Sequence, residues 1–347
     1  KKYTKVREGD YVFKVKSYND DGVEGNMIAV NISISLPYYQ RWWFYPALFL
    51  LTVAIVVMIV KYRERQQQNY LKNLSNELNL RTSELVEQKE KMEEINKDLT
   101  DSINYAKRIQ TAILPEHKLF QRMYPKNFIL FKPRDIVSGD FYWVTEYLGK
   151  KIIVFADCTG HGVPGGFMSM IGRILLRETC TVKKIIDPGV ILDEIDKGLV
   201  NVLRQKDDID SNKDGMDLGV CVIDSETNLL SYAGAMRPLY IYRHGIRTTL
   251  KGSRYSVGGI SQIEKVFKTQ EFQLIKEDIL YMFSDGFPDQ FGGSKGRKMK
   301  ISVLNELLDQ VCQLPFEKQG SEINTFFETW KRDEAQMDDV LMIGVQI

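Results

Sequence analysis

Four acidic positions, each at the edge of an apolar run, carry the chemistry open to this sequence. The first lies in Phe155-Ala-Asp157-Cys158-Thr-Gly160-His161-Gly-Val-Pro-Gly-Gly. Ahead of it, Lys151-Ile-Ile-Val-Phe-Ala is apolar and β-branched, the pattern of a buried strand that delivers Asp157 at its end. Gly160, Gly162, Gly165 and Gly166 then predict a turn in which backbone can approach a ligand closely, and Phe167-Met-Ser-Met-Ile opens a helix. Val137-Ser-Gly139-Asp140-Phe-Tyr-Trp143 supplies a second acid, and Ser284-Asp285-Gly286 after the run Ile279 to Phe283 a third. Asp338-Asp339, before Val340-Leu-Met-Ile-Gly-Val, supplies the fourth position. The chain has 3 histidines, and its 4 cysteines, Cys158, Cys180, Cys221 and Cys312, are scattered. The donor set is therefore oxygen, which suits Mg²⁺ or Mn²⁺ rather than zinc, and the cysteines read as free thiols of a reducing compartment.

The elements that must hold these acids read as mixed. Strands are predicted at Phe128 to Phe131, Asp140 to Thr145, Lys151 to Ala156, Leu218 to Ile223, Leu229 to Ala233, Leu239 to Tyr242, Ile279 to Phe283 and Val340 to Ile347. Helices are predicted near Phe167–Cys180, Pro188–Arg204, Val303–Val311 and Ser321–Lys331. Hairpins such as Cys221 to Tyr232 imply antiparallel pairing, so an α+β sandwich of sheets covered by helices is favoured over a doubly wound parallel sheet.

Upstream, residues 1–37 hold short alternating strands around Asp10 to Tyr18 and Asn31 to Leu36, separated by the turn Asn19-Asp-Asp-Gly22. Such strands cannot bury a core alone, so they predict the end of a truncated β-sandwich. From Trp42 to Val60 there is no charge, and about 19 such residues can cross a hydrocarbon core of roughly 30 Å as one helix. Trp42, Trp43 and Tyr45 fit one interfacial belt, and Lys61, Arg63 and Arg65 put the following side in the cytoplasm, predicting a single-pass inner-membrane protein with a periplasmic N-terminal side. Over residues 62–114 a seven-residue repeat runs through Leu71, Leu78, Leu85, Met92, Leu99, Ala106 and Ile113, the pattern of a left-handed coiled coil and so of a parallel homodimer. Arg81, Gln88 and Ser102 interrupt its seam and limit its stability, which fits a signal-transmitting linker and equally leaves open a mechanical spacer. Pro115 is expected to end the helix and open a globular domain over 115–347.

At 347 residues the chain predicts two or three domains, and 47 Lys plus Arg against 46 Asp plus Glu give no global pull toward nucleic acid. It begins Lys-Lys-Tyr, which reads as the C-terminal portion of something longer.

Six motifs in order, SGDFYW, ADCTGHG, DGMDLGVCVID, YAGAMRPLYIY, FSDGFPDQFGG and DDVLMIGV, resemble the metal-dependent protein phosphatases of the 2C class, in the SpoIIE-like branch acting on phosphoserine and phosphothreonine. The resemblance covers roughly Asp101 to Ile347 and implies an α-β-β-α sandwich. Two divalent ions about 3.5–4 Å apart can neutralise phosphoryl oxygens and make a water nucleophilic near neutral pH. The resemblance implies that Asp157 bridges such a pair, that Asp285 and Asp338 complete one ion and Asp140 the other, and that the Cys158 carbonyl is a further ligand. Asp339, where the family has Asp or Asn, is a candidate ligand expected to act from behind the others. His161 is either a general acid for the leaving oxygen or a part of the glycine turn. Arg134 is near where eukaryotic members keep a phosphate-binding arginine, and Trp143 stands where the branch often has Asp. The implied partner is a phosphorylated regulatory protein of anti-anti-sigma (STAS) type. Residues 1–37, with Pro37 and the aromatic run to Tyr45, resemble the end of the Ig-like Y_Y_Y module of periplasmic sensors.

Other classes fit less well. A sensor histidine kinase would need a histidine between Lys61 and Glu116, and there is none. Ser138-Gly-Asp-Phe echoes a diguanylate cyclase loop without its second acid. A binding-only adaptor predicts lost metal carboxylates, whereas the four expected positions Asp140, Asp157, Asp285 and Asp338-Asp339 are filled.

Overall fold

Alternation of apolar and polar residues makes a hairpin near the N-terminus, β1 (Gly9–Val15) pairing antiparallel with β2 (Ile28–Ile34), Tyr11 opposite Ile32 and Phe13 opposite Val30. Both faces of this ribbon are exposed. The structure, a computed structural model, describes residues 6–113, 117–205, 213–259 and 264–347; Pro115, expected to end the long helix, lies outside them. The chain divides into two units, Lys1–Glu93 and Glu94–Ile347.

One uninterrupted helix, α1 (Phe44–Ile113), runs through the apolar stretch and the heptad repeat. Pro46 falls in its first turn, where a missing N–H costs nothing. Its first part is long and apolar enough to cross a membrane by length and composition. The seam residues Leu71, Leu78, Leu85, Met92 and Leu99 are all exposed. Two of the polar seam residues are satisfied within the helix: Arg81 meets Glu84 at 3.5 Å, and the Ser102 hydroxyl donates to the Asp98 carbonyl at 2.9 Å.

The second unit continues with α2 (His117–Met123), β3 (Asn127–Lys132), β4 (Phe141–Tyr147), β5 (Lys150–Cys158), α3 (Gly162–Leu176) and α4 (Pro188–Val202). Then come β6 (Gly215–Asp224), β7 (Leu229–Ala235), β8 (Leu239–Arg243), β9 (Ile246–Leu250), β10 (Val257–Gly258) and β11 (Gln270–Gln273). The chain closes with β12 (Ile279–Phe283), α5 (Gly286–Asp289), β13 (Phe291–Gly292), β14 (Arg297–Lys298), α6 (Lys300–Val311), α7 (Phe316–Lys331) and β15 (Val340–Gln346). One antiparallel sheet has the order β11-β7-β6-β5-β4, with β10 on β6, and the other the order β3-β15-β12-β8-β9.

Period-two side chains fill three apolar layers from these sheets. From β5, Ile152 and Val154 pack outward against Leu176, Ile191, Ile195 and Leu199 of α3 and α4. Ile153 and Phe155 point the other way and meet Ile241, Met282 and Ile343 of the second sheet. The far face of that sheet, with Tyr242, Tyr281 and Met342, is covered by Leu304, Leu308, Ile323 and Phe327 of α6 and α7. The order helix, sheet, sheet, helix is the expected sandwich. Because both faces of each sheet are buried, the central strands read as continuous apolar runs rather than alternations.

Several elements differ from the sequence reading. α3 begins at Gly162, since Pro164 is tolerated in a first turn, and after Leu176 it passes into a π-helical turn, Arg177–Val182, that carries Cys180. α7 starts at Phe316, directly behind Pro315, five residues ahead of the expected Ser321. The strands β9 to β11, β13 and β14 and the short helices α2 and α5 were not predicted; β9 forms a hairpin with β8, Arg243 opposite Ile246, while β11 exists through long-range pairing, such as Gln270 with Tyr232.

Candidate active site

Register brings the acids together. Phe141 pairs with Ala156, Asp157 with Asp217, and Phe283 with Met342. The start of β4, the end of β5, the start of β6, the end of β12 and the start of β15 therefore meet at one end of the sandwich, carrying Asp140, Asp157, Asp217, Asp285 and the pair Asp338-Asp339. Close backbone approaches fix these loops. A Cβ on Gly165 would lie 2.3 Å from the Gly160 carbonyl oxygen, and one on Gly286 would lie 1.9 Å from the Asp339 carbonyl oxygen. Gly165, predicted to let backbone approach a ligand, instead lets α3 approach the Asp157 turn.

Asp339 is 2% exposed, and its two oxygens accept the N–H groups of Arg134 and Gly139, each at 2.7 Å. It staples the start of β15 to the loop before Asp140. Asp338 accepts the Asp339 N–H at 2.8 Å. Its carboxyl is pushed up by burial and by the Asp285 and Asp339 charges, while the Asp339 N–H opposes the shift.

Asp140 is also 2% exposed, yet its Oδ2 has no hydrogen-bond partner. Burial, then the neighbouring Asp157 charge, holds its pKa well above the carboxylate range. Asp157 is raised too, by burial and the Asp285 carboxyl, against the pull of Arg237. Asp217 is raised by burial. At Asp285, burial is outweighed by the Arg237 guanidinium, which together with a hydrogen bond to Asp157 leaves the carboxyl below its usual value. Arg237 is the shared countercharge. Its Nη2 lies 2.8 Å from Asp157, 3.1 Å from Asp217 and 2.9 Å from Asp285.

His161 is the N-cap of α3, but its side chain makes no capping hydrogen bond. Its Nδ1 lies 2.8 Å from Asp135 Oδ2. Cys158 turns its thiol into the apolar layer beneath α3. Arg134 lies beside Asp339, but its guanidinium donates to the Met337 carbonyl at 2.9 Å. Trp143 is buried in the layer under α3 and α4, so it offers no ligand. The extra carboxylate comes from Asp217 instead.

Behind the acids, the last turns of α1 join the site. Gln110, 8% exposed, donates to the Ser138 carbonyl at 2.6 Å and to Ser169 Oγ of α3 at 2.9 Å, and accepts the Ser138 N–H at 3.3 Å. In front, a groove of about 490 Å³ opens from Arg237 and Asp285 past Pro238, Tyr240 and Phe283 to Lys298 and Lys300.

Sequence reasoning missed Asp217, Arg237, Asp135 and Gln110. Asp217 carried a signal: it is the one charged residue between Met216 and Ile223, inside an apolar run. Arg237, in a turn between two buried strands, carried a weaker one. Gln110 and Asp135 look like ordinary surface residues.

As they stand, no three acidic, histidine or cysteine side chains among the described residues form a ready metal cage, since Arg237 sits among them. The donor set nevertheless fits divalent ions. Six carboxylates converge, four of them held above their usual pKa, and a buried Asp140 oxygen has no partner. A hard dication answers both features at once.

Residues 149–347 match the family described as Stage II sporulation protein E (SpoIIE). The fold is similar to the SiaA-PP2C domain of Pseudomonas aeruginosa, at 30% identity over 73% of this chain and 98% of that one, with a TM-score of 0.66. It also resembles the PP2C phosphatase domain of SpoIIE from Bacillus subtilis, at 19% identity over 64% of this chain and 63% of that one, with a TM-score of 0.52. The RsbU and RsbW domains of a Mycobacterium tuberculosis protein give 17% identity, 64% and 60% coverage and a TM-score of 0.50. No curated protein matches the chain by sequence.

Proposed function

Because this chain belongs to the SpoIIE family of metal-dependent PP2C-type serine/threonine protein phosphatases, we propose that it is the membrane-anchored, signal-regulated member of a pathway, removing phosphate from a phosphorylated regulatory protein. The observation that carries the catalytic reading is the convergence of buried carboxylates around the partnerless Asp140 oxygen. Asp140, Asp157, Asp285, Asp338 and the Cys158 carbonyl, joined by Asp217, would hold two Mg²⁺ or Mn²⁺ ions, which when bound supply phosphoryl charge neutralisation and an activated water. Asp339 acts from behind by fixing the loop that carries Asp140. His161 is the proton donor: Asp135 holds Nδ1, leaving Nε2 to pass a proton to the departing seryl or threonyl oxygen. The open groove with Lys298 and Lys300 supports a protein segment as substrate rather than an enclosed metabolite.

The membrane reading is supported by the apolar start of α1, and the parallel homodimer by its exposed heptad seam, which a second copy would cover. Signal control is supported by Gln110, through which a shift of α1 would reach Ser138, two residues before Asp140, and α3 together.

The full chain in detergent, given a phosphoserine protein or an aryl phosphate, hydrolyses it only with Mn²⁺ or Mg²⁺ present. Full turnover in excess chelator overturns the reading, and action on small metabolites alone overturns the protein substrate.

A further inference from the structure

A phosphomonoester dianion approaching this end of the sandwich meets six carboxylates. Besides any metal, something cationic must receive its oxygens, and sequence position suggested Arg134. The structure places that guanidinium on the Met337 carbonyl. Arg237 is the guanidinium among the carboxylates, at 2.8, 3.1 and 2.9 Å from Asp157, Asp217 and Asp285.

Its backbone is held in place. The Arg237 carbonyl accepts the Tyr232 hydroxyl at 2.6 Å, and its N–H donates to the Ala235 carbonyl at 2.7 Å. Met236 before it adopts a left-handed φ of 62°, and Pro238 follows. A Cβ on Gly234 or Gly252 would lie 2.2 or 2.4 Å from the Arg237 carbonyl oxygen, so both neighbours are glycine and the turn is packed on two sides. The side chain thus leaves a rigid turn and is 11% exposed, while its Nε is buried without a hydrogen-bond partner. One nitrogen carries all three carboxylate contacts. A planar fork suited to two phosphate oxygens is therefore only partly used. The groove running past Lys298 and Lys300 begins at this residue.

We propose that Arg237 is the phosphoryl-binding residue of the site, its guanidinium donating to the substrate's phosphate oxygens beside divalent ions that the carboxylate oxygens would hold. The assignment rests on the phosphatase reading. It places a guanidinium on the turn between β7 and β8, in the motif YAGAMRPLYIY, and gives Arg134 a structural part beside Asp339.

The test titrates inorganic phosphate calorimetrically into the Mn²⁺-loaded full chain and follows Mn²⁺ binding separately through the electron paramagnetic resonance signal of the free ion. Arg237→Ala and Arg237→Gln are expected to weaken phosphate binding by about tenfold to a hundredfold, the range for losing charge-assisted hydrogen bonds. Both should bind Mn²⁺ at least as tightly as the parent, because an internal competitor for the carboxylates is gone. Arg237→Lys, which keeps the charge without the fork, should fall between. In turnover the loss should appear mainly in KM for the phosphoprotein. An unchanged phosphate Kd in all three variants overturns the assignment and leaves the phosphatase reading intact. Loss of Mn²⁺ binding together with phosphate binding in all three variants also overturns it, making Arg237 a structural counterion. A parent chain that shows no metal-dependent hydrolysis overturns the reading beneath it.

Discussion

The carboxylate end of the sandwich and the long helix α1 are unfinished in opposite chemical senses. At the first, charge is buried beyond what its partners compensate: Asp140 keeps an orphaned oxygen, and Arg237 serves three acids with one nitrogen. Along the second, apolar surface is exposed, from the uncharged stretch through Leu71, Leu78, Leu85 and Met92. Buried charge is relieved by a small hard cation, whereas exposed apolar surface is relieved only by more apolar surface, lipid or another helix. On the function proposed, the first region takes ions and an anionic substrate, and the second a bilayer and a second copy. Gln110, in the last turns of α1, reaches the loop before Asp140 as a neutral, fully hydrogen-bonded side chain.

The strongest break in this contrast removes charge from the first region. Asp157→Asn or Asp285→Asn changes no volume but takes a charge from the ion site, so turnover should fall by about a thousandfold, given several kcal/mol of transition-state stabilisation and tenfold per 1.36 kcal/mol. Circular dichroism should show the fold retained; near-parental turnover would remove these residues from the site.

A break in the second region should act on control rather than chemistry. One residue inserted near Gln88 rotates the seam and should change activity several-fold, while seven inserted residues restore the repeat and largely restore activity. Replacing Arg81, Gln88 and Ser102 by Leu should lock activity high or low. A chain indifferent to both insertions would make the helix a passive tether.

Proton linkage sharpens the first region. Asp140, Asp157, Asp217 and Asp338 have folded pKa values raised above the ordinary carboxylate range, so the folded chain holds protons that the unfolded chain releases. Their contribution is present below about pH 4 and is lost as pH rises through the raised values. In chelator, this contribution should lower the melting temperature between pH 5 and pH 8 by about 2–4 °C for each kcal/mol lost. Mn²⁺ should restore it at pH 8. A metal-free chain equally stable at both pH values would mean that the acids are not strained.

The smallest effect should come from Asp339→Asn. It swaps one acceptor for an amide facing a backbone N–H, costing about 1–3 kcal/mol of stability in a buried site. Activity should fall far less than for Asp157→Asn. Equal loss would make Asp339 a ligand rather than a staple.

The sequence itself determined the strands that carry the acids, because a buried strand must be a continuous apolar run and its end is then marked by the first charge, as at Asp157 and Asp285. It also determined the long helix, since heptad and span are local patterns. The sandwich was legible from antiparallel hairpins and amphipathic helices, and its order of layers followed once Ile152 and Ile153 were seen to face opposite ways. What only the tertiary structure decided depends on register across strands. Asp217 joins the site because it pairs with Asp157, and Arg237 because the turn between β7 and β8 brings its guanidinium among the acids. Asp135 steadies His161 from 26 residues away, and Gln110 reaches Ser169 across 59. Local pattern reports which face a residue takes. It carries no record of which distant backbone that face will meet, and charge compensation in a buried site is settled by those meetings alone.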